Sequence, residues 1–190
     1  MTDFLQRRNL MKQSVRATLF TSTFFLTTLG NAAKIPRTHG RVTKKIVSLK
    51  TGFRKGTILI SNSENTMDFV LSQDHVARYV VASGRDGFVW TGEVKVAYKR
   101  EWPTWRPPAE MRIRDSSLPE LVPPGPHNPL GARAIYLFKN GKDTLYRIHG
   151  TNDAESVGGF ETSGCFRMTN ADILEFYNHV SIGSKVIVRD

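Results

Sequence analysis

The sequence predicts a mainly-β fold in a single domain, with one helix towards the C-terminal end. Three observations support this prediction: short apolar and β-branched runs recur from Thr57 onward, one later segment has helical periodicity, and a proline-rich stretch interrupts the runs. The 190 residues suffice for one globular domain with appendages. The content of 39% hydrophobic and 23% charged residues argues against global disorder.

Seven runs are predicted to be strands, because each has alternating or continuous apolar content and is flanked by turn residues. They are residues 57–61, 67–71, 76–82, 94–98, 134–138, 145–148 and 185–189. The pair Asn140-Gly141 separates two of these runs. An Asn-Gly pair favours a tight hairpin, so these two runs are expected to be neighbours in the sheet.

One helix is predicted after the sixth run. Thr169 and Asp172 have the spacing of an N-terminal capping pair, and Gly183 is expected to end the helix. Four apolar residues share one helical face: Ile173, Phe176, Tyr177 and Val180. Residues 102–129 hold eight prolines, which predicts a long, stiffened surface loop.

Residues 1–32 are predicted to be an export signal. Arg7 and Arg8 give a positive start in an order that resembles the twin-arginine pattern, and the apolar residues 17–29 have the length of a signal-peptide core. Small residues then offer a cleavage site; an uncleaved membrane anchor is the alternative. Both interpretations put the bulk of the protein outside the cytoplasm. Residues 33–56 are expected to form a basic linker or an ordered extension of a domain at 57–190.

The formal net charge of +10 raises the question of a nucleic-acid partner. The basic residues are spread along the chain without a run of five, so the charge is expected to serve solubility, and no nucleic-acid partner is expected. A single cysteine excludes an internal disulfide. One cysteine and scattered histidines do not have the spacing of a metal site, so neither a metal nor another cofactor is expected.

The residues suited to chemistry lie between Arg147 and Met168. Cys165 acts as a nucleophile only as a thiolate, so it needs a base or a positive field that lowers its pKa, and His149 at the end of a predicted strand suits that role. Gly164 would let backbone amides approach a reacting carbonyl. A lone cysteine is often a small buried hydrophobe, and a lone histidine is often structural. An exposed thiol in an oxidising compartment is nevertheless readily oxidised, which favours a catalytic role over a purely structural one for Cys165.

The segment from His149 to Val188 resembles the catalytic domain of the L,D-transpeptidase (YkuD-type) family. That family has a histidine, a spacer of a dozen or more residues, and a Ser/Thr-x-Gly-Cys motif; here the spacer is 150–161 and the motif is Thr162-Ser163-Gly164-Cys165. The upstream segments 83–85, 90–92, 102–105 and 128–131 resemble the subgroup of Gram-negative envelopes. The resemblance covers residues 57–190. One departure is Ser163, where many members have a second histidine or an arginine.

The resemblance implies a β-sandwich or barrel-like domain in the periplasm or cell envelope that catalyses a two-step acyl transfer without a cofactor. Cys165 would attack the L,D bond of a tetrapeptide stem of peptidoglycan, His149 would be the general acid and base, and the Gly150 carbonyl would orient the imidazole. The thioester would then pass to an amine of another stem peptide or of an envelope protein. The family also implies that carbapenems acylate the thiol.

Five further residues are candidates for substrate binding by the same resemblance: Ser163, Gly164, Arg167, Trp102 and Trp105. Arg167 would bind a substrate carboxylate, with a structural salt bridge as the alternative. Trp102 and Trp105 would form a lid with the proline-rich loop, with packing onto the core as the alternative. Two rival functions remain: a hydrolase on the same scaffold, and a non-catalytic wall-binding module, which is disfavoured because both Cys165 and His149 are present.

Overall fold

The computed structural model describes residues 40–190, so the predicted export signal at 1–32 lies outside the described residues. The described part is mainly β, as the sequence predicts, with eleven strands and two α-helices. The strands are β1 (Lys45–Ser48), β2 (Ile58–Ser61), β3 (Thr66–Val70), β4 (His75–Val80), β5 (Ser83–Gly84), β6 (Gly92–Glu101), β7 (Arg133–Lys139), β8 (Lys142–His149), β9 (Phe160–Thr162), β10 (Phe166–Arg167) and β11 (Lys185–Arg189). The helices are α1 (Ala109–Arg114) and α2 (Asn170–His179).

Nine strands form one sheet in the order β1-β4-β3-β2-β11-β6-β7-β8-β10, and β5 pairs with β9 in a second, two-stranded sheet. The large sheet is not closed into a barrel. Its last strand, β10, is linked to the residues after β4 by a single bridge between Ala82 and Arg167. The strand that follows the motif cysteine is therefore held from two sides at the end of the sheet.

All seven predicted strands are confirmed, as β2, β3, β4, β6, β7, β8 and β11. The β7–β8 hairpin is also confirmed: Asn140 and Gly141 have φ values of 50° and 78°, which are the positive angles that a tight hairpin turn requires. The strands that the sequence missed, β5, β9 and β10, are only two or three residues long. Such short strands are specified by their neighbours rather than by their own periodicity.

The core lies between the sheet and α2. Ile173 and Phe176 of α2 are fully buried, and Phe176 makes edge-on ring contacts with Phe69 at 5.7 Å and with Tyr79 at 5.3 Å between centroids. Burying an aromatic side chain of this size stabilises the fold by roughly 1.5–3 kcal/mol. This packing fixes α2, whose N-terminal residues contact the segment that follows β8.

The predicted cap of α2 is confirmed, because the Thr169 hydroxyl accepts a hydrogen bond from the Asp172 amide at 3.1 Å. The predicted end at Gly183 is wrong, since α2 ends at His179 and Val180 is extended. Lys99 from β6 explains the earlier end: its ammonium group donates to the carbonyls of Tyr177 and Val180 at 2.6 and 2.8 Å. These hydrogen bonds satisfy carbonyls at the end of α2, so a glycine cap is not needed there.

The basic segment 33–56, described from residue 40, contains a strand that the sequence did not predict. Strand β1 pairs antiparallel with β4 at the edge of the large sheet. Just before it, the backbone and hydroxyl of Thr43 donate to the buried Asp172 carboxylate at 3.0 and 2.7 Å. An edge strand with no buried residue lacks the alternating pattern by which strands are recognised, so its existence depends on the β4 edge.

The proline-rich segment is held by one buried side chain. The Asn128 amide group donates to the carbonyls of Pro103, Val122 and Pro123 at 2.8–3.2 Å, and its oxygen accepts from the Leu130 amide at 2.9 Å. The segment also includes α1, which has no buried residue and therefore gave no periodic signal. No helix within residues 40–190 is long and apolar enough to cross a membrane.

Candidate active site

The register of β8 and β10 places the two predicted reactive residues on one face of the sheet. The strands are parallel, with Phe166 opposite Ile148 and Arg167 opposite His149. Ile148 and Phe166 are fully buried in the core. Side chains alternate along a strand, so the residues on either side point to the opposite face. These residues are Arg147, His149, Cys165 and Arg167.

His149 is the last residue of β8 and is 5% exposed. Its Nδ1 lies 2.5 Å from the Gly150 carbonyl oxygen, the contact that the family resemblance implies. With the proton on Nδ1 donated to this carbonyl, Nε2 is the free basic nitrogen. Burial lowers the pKa of His149 to about 4, against a raising contribution from the Gly150 carbonyl and further lowering by Arg167 and Arg147. The imidazole is therefore neutral at neutral pH, as a general base must be.

Asn170 at the start of α2 holds the chain directly after His149. Its side chain donates to the Thr151 carbonyl at 2.7 Å and accepts from the amides of Thr151 and Ala132 at 3.2 and 2.8 Å. A Cβ atom on Gly150 would lie 2.2 Å from the Asn170 oxygen. Glycine is thus required at position 150 by close approach, and α2 sets the position of the Gly150 carbonyl that contacts the imidazole.

Cys165 directly precedes β10 and is partly buried. Its sulfur lies 3.8 Å from the Leu145 carbonyl oxygen. Burial raises the pKa of the Cys165 thiol, and this outweighs the lowering by the Arg147 backbone amide and by the guanidinium groups of Arg147 and Arg167. The sequence led us to expect a thiol whose pKa is lowered. The difference arises because desolvation disfavours the thiolate more than the two arginines favour it.

A bulge in β8 sets the surroundings of the sulfur. Tyr136 of β7 pairs with Arg147, but Phe138 pairs with Asp143, so β8 has extra residues at this point. Leu145 in the bulge has a φ of 62° and is 64% exposed. Asp143 and Arg147 close the bulge with two hydrogen bonds of 2.7 and 2.8 Å. Sequence reasoning missed this feature, because the short, mostly apolar run 145–148 has the composition of an ordinary strand.

The loop before the cysteine is held by side chains from two other segments. The Thr162 hydroxyl donates to the Cys165 carbonyl at 2.6 Å and accepts from the Gly164 amide at 3.2 Å. The Trp90 indole N–H donates to the Gly164 carbonyl at 2.7 Å. Gly164 has a φ of 102°, and a Cβ there would lie 2.5 Å from the Tyr146 ring. In the sequence, Trp90 belonged only to one of the segments that resemble the family. The structure shows that its side chain contacts the cysteine motif directly.

Two buried polar atoms near the cysteine lack a hydrogen-bond partner within residues 40–190: the Ser163 hydroxyl oxygen and the Arg167 Nε. The Arg167 guanidinium donates to the Ser156 hydroxyl at 2.6 Å, and no salt bridge of Arg167 occurs among the described residues. This leaves the guanidinium charge without a carboxylate partner on the face that Cys165 and His149 share.

The two tryptophans of the proline-rich segment lie at different places. Trp102 is 45% exposed and its amide donates to the Ala132 carbonyl at 2.8 Å. The carbonyl of Arg133, the residue after Ala132, accepts a hydrogen bond from the Gly150 amide at 3.0 Å. Trp102 therefore lies close to the chain that follows His149. Trp105 instead forms a backbone bridge with Val122 inside the proline-rich segment.

Comparison with known proteins identifies the family. A model of the YkuD L,D-transpeptidase catalytic domain matches residues 55–188. A protein of Bacillus subtilis (strain 168) named "Putative L,D-transpeptidase YqjB" is 33% identical over 135 residues, which are 70% of this chain and 70% of that protein. The Escherichia coli (strain K12) protein named "Probable L,D-transpeptidase ErfK/SrfK" is 40% identical over 99 residues, which are 50% of this chain but 30% of that protein. The chain belongs to the L,D-transpeptidase catalytic-domain family, which confirms the resemblance seen in the sequence.

Solved structures share the fold. A Brucella melitensis protein, named as a probable carnitine operon oxidoreductase, is 38% identical with a TM-score of 0.53, over 77% of this chain and 92% of that chain. A second structure, of the Ldtfm-avibactam carbamoyl enzyme, is 16% identical with a TM-score of 0.56, over 73% of this chain and 50% of that chain. At that identity the second likeness concerns the fold alone.

Proposed function

We propose that this protein is a peptidoglycan L,D-transpeptidase that uses Cys165 as nucleophile and His149 as general acid and base. The observation that supports this most is the parallel register of β8 and β10, which pairs Arg167 with His149 and so brings Cys165, directly before β10, alongside the end of β8 that carries His149. Family membership supports the same reaction class. The Brucella protein bears the name of an oxidoreductase, whereas the family match and the residues Cys165 and His149 support acyl transfer here.

The first step acylates the enzyme. Neutral His149 takes the thiol proton on Nε2 while the sulfur attacks the carbonyl carbon of the L,D bond between the third residue and the terminal D-alanine. The C–S bond forms and the carbonyl electron pair moves to oxygen. When this oxyanion collapses, the C–N bond breaks and the D-alanine amine leaves with the proton from His149.

The second step transfers the acyl group. An acceptor amine attacks the thioester, His149 takes the proton of the attacking nitrogen, the new C–N bond forms, and the C–S bond breaks. The sulfur then regains its proton from His149. Because burial keeps both Cys165 and His149 neutral at rest, proton transfer accompanies attack and no stable ion pair precedes it.

Arg167 is proposed to bind a carboxylate of the stem peptide. Its charge has no acidic partner in the described part of the chain, and its Nε is a buried donor that no group there satisfies. A substrate carboxylate would satisfy both deficits. Ser163, whose hydroxyl is also unpaired, and Gly164 are proposed to line the same place. Trp102, next to the chain after His149, is proposed to cover it, with Trp105 as part of the lid.

The acyl acceptor is proposed to be an amine of a second stem peptide or of an envelope protein, and the site of action is proposed to be the periplasm or cell envelope. The predicted export signal and the family support this location. We also propose that carbapenems acylate Cys165, because the carbonyl of their strained β-lactam ring can be attacked by the same sulfur. One structural neighbour is itself described as a carbamoyl enzyme, which is a covalent adduct of that protein.

The test is mass spectrometry of purified disaccharide tetrapeptides incubated with residues 33–190. Crosslinked dimers are expected, with loss of one D-alanine for each bond formed. The matched control is Cys165→Ala, which should leave the fragments unchanged. Tripeptides without dimers would identify a hydrolase on the same scaffold, and products from the alanine variant would refute the cysteine mechanism.

A further inference from the structure

Trp90 contacts the motif loop with its indole N–H and the two flanking strands with its ring. Its indole N–H donates to the Gly164 carbonyl at 2.7 Å. Its ring stacks on Tyr146 of β8 with centroids 4.5 Å apart and planes inclined by 7°, and it lies 5.6 Å from the Phe166 ring. The indole is thus fixed by packing in an orientation that aims its one polar group at the peptide bond before the nucleophile.

The hydrogen bond to the Gly164 carbonyl determines where the Cys165 N–H points. In a trans peptide the carbonyl and the following N–H are opposite each other, so fixing one fixes the other. The Gly164 amide and the Cys165 carbonyl are both bound to Thr162. The Cys165 N–H, in contrast, forms no hydrogen bond with any residue of the part of the chain that the structure describes.

We propose that Trp90 is a positioning residue for acyl transfer: by holding the Gly164 carbonyl, it directs the Cys165 N–H at the oxyanion that forms when the sulfur attacks. The inference rests on the proposed function, since it needs a tetrahedral oxyanion. A donor that is already oriented stabilises the developing charge without reorganisation at the moment of reaction.

The indole also strengthens this donor. A hydrogen bond to the carbonyl of a peptide polarises the peptide unit, so its N–H becomes a better donor. Gly164 is needed for the arrangement, because a side chain there would collide with Tyr146 and with the Phe88 carbonyl. The loop, the stack and the indole bond therefore form one rigid support behind the sulfur.

The test is Trp90→Phe, which keeps an aromatic ring for the stack on Tyr146 and removes the N–H. Two rates are measured on the same preparation: acylation of Cys165 by a carbapenem, followed by intact-protein mass spectrometry, and alkylation of Cys165 by iodoacetamide across pH. Acylation passes through an oxyanion, whereas alkylation is a displacement at a saturated carbon. We expect acylation to slow by about 10- to 100-fold, somewhat less than for loss of an oxyanion donor itself, with the alkylation profile unchanged.

Val89→Ala is the control, since it changes the exposed neighbour of Trp90 and removes neither the indole bond nor the stack; it should acylate at the wild-type rate. If Trp90→Phe does not fold, the benzothiophene analogue of tryptophan at position 90 keeps the shape and removes only the N–H. Equal slowing of acylation and alkylation would mean that Trp90 merely places the thiol, and wild-type acylation would also overturn the inference. A separate measurement tests the proposed function: if Cys165→Ala still turns over wall peptides, the proposed function fails, whatever the result for Trp90.

Discussion

At the scale of single residues, burial moves the pKa values of His149 and Cys165 in opposite directions. It lowers the pKa of the imidazole, because the charged form is the protonated one, and raises the pKa of the thiol, because the charged form is the deprotonated one. Both shifts favour the neutral form of each group. The site at rest therefore holds a neutral thiol and a neutral imidazole, with two arginines that favour the thiolate form of Cys165.

The pH profile of catalysis should show this state of His149. Because burial lowers the pKa of His149 to about 4, the base should stay unprotonated well below the usual histidine range. We expect the acid limb of kcat/KM for wall-peptide turnover to fall near pH 4. A limb near 6.5 in the measured profile would mean that the imidazole is solvated in solution.

The same shift should appear in stability. The pKa is lower in the folded than in the unfolded protein, so the unfolded chain binds more protons between these values, and stability is lost as pH falls through that window. From pH 6.5 to pH 4 the wild type should lose about 3 kcal/mol more than His149→Gln, which cannot titrate. Urea unfolding of both proteins at the two pH values measures the difference. Parallel losses would contradict the buried, neutral imidazole.

Cys165 should be the single point of carbapenem attachment. As the chain has one cysteine, incubation with a carbapenem should add one molecule per protein by intact mass, and Cys165→Ala should remain unmodified. The alanine variant should have a thermal midpoint close to that of the wild type, since the exchange removes one sulfur atom whose hydrogen-bond contacts, with the Leu145 carbonyl at 3.8 Å and the Arg147 amide, are weak. An adduct on the alanine variant would disprove the assignment of the nucleophile.

At the scale of elements, the proline-rich segment depends on Asn128. The side chain is 1% exposed and serves three carbonyls and one amide of the segment. Proline stiffens the segment but cannot donate hydrogen bonds, so a side-chain amide supplies the donors that its own backbone lacks. Asn128 thus links the two ends of the segment, Pro103 beside Trp102 and Val122 opposite Trp105.

Asn128→Ala should reduce the free energy of unfolding by about 2–4 kcal/mol, because buried carbonyls lose their partner. Turnover of wall peptides should fall as well if the segment forms the proposed lid. The comparison is Asn178→Ala, which removes an exposed amide bound only to the Leu174 carbonyl and should change stability little. Urea unfolding measures both, and equal midpoints for the two variants would contradict the role of Asn128.

At the scale of the whole molecule, the start of the described chain is tied to its C-terminal helix. Thr43 binds Asp172, the Lys44 ammonium group binds Glu175 at 2.6 Å, and β1 then covers the edge of β4. Asp172 is 1% exposed, so its carboxylate depends on these partners. The match to the family begins only at residue 55, whereas the sheet itself extends further towards the N-terminus.

Removing residues 1–49 should therefore destabilise the domain by at least about 3 kcal/mol relative to removing residues 1–39, since a buried carboxylate and a strand edge both lose partners. Urea unfolding of 50–190 and 40–190 tests this. The variant Thr43→Val in the longer protein separates the loss of the hydroxyl from the loss of β1. If the two truncations unfold at the same urea concentration, the extension does not contribute to the fold.

The sequence by itself determined the strands with alternating buried faces, the capped start of α2, the family, and the identity of Cys165 and His149 as the candidate pair. These are local: period-two burial, a Thr-x-x-Asp cap and a motif with fixed spacing can be read along the chain.

The tertiary structure decided what depends on neighbours distant in sequence. The Lys99 ammonium ends α2 early, β4 makes β1 a strand, and the open sheet order sets β10 beside β8. Desolvation by the packed surroundings, which no local pattern encodes, reverses the expected pKa shift of the thiol, and the stack of Trp90 on Tyr146 brings an indole from 74 residues away to the Gly164 carbonyl.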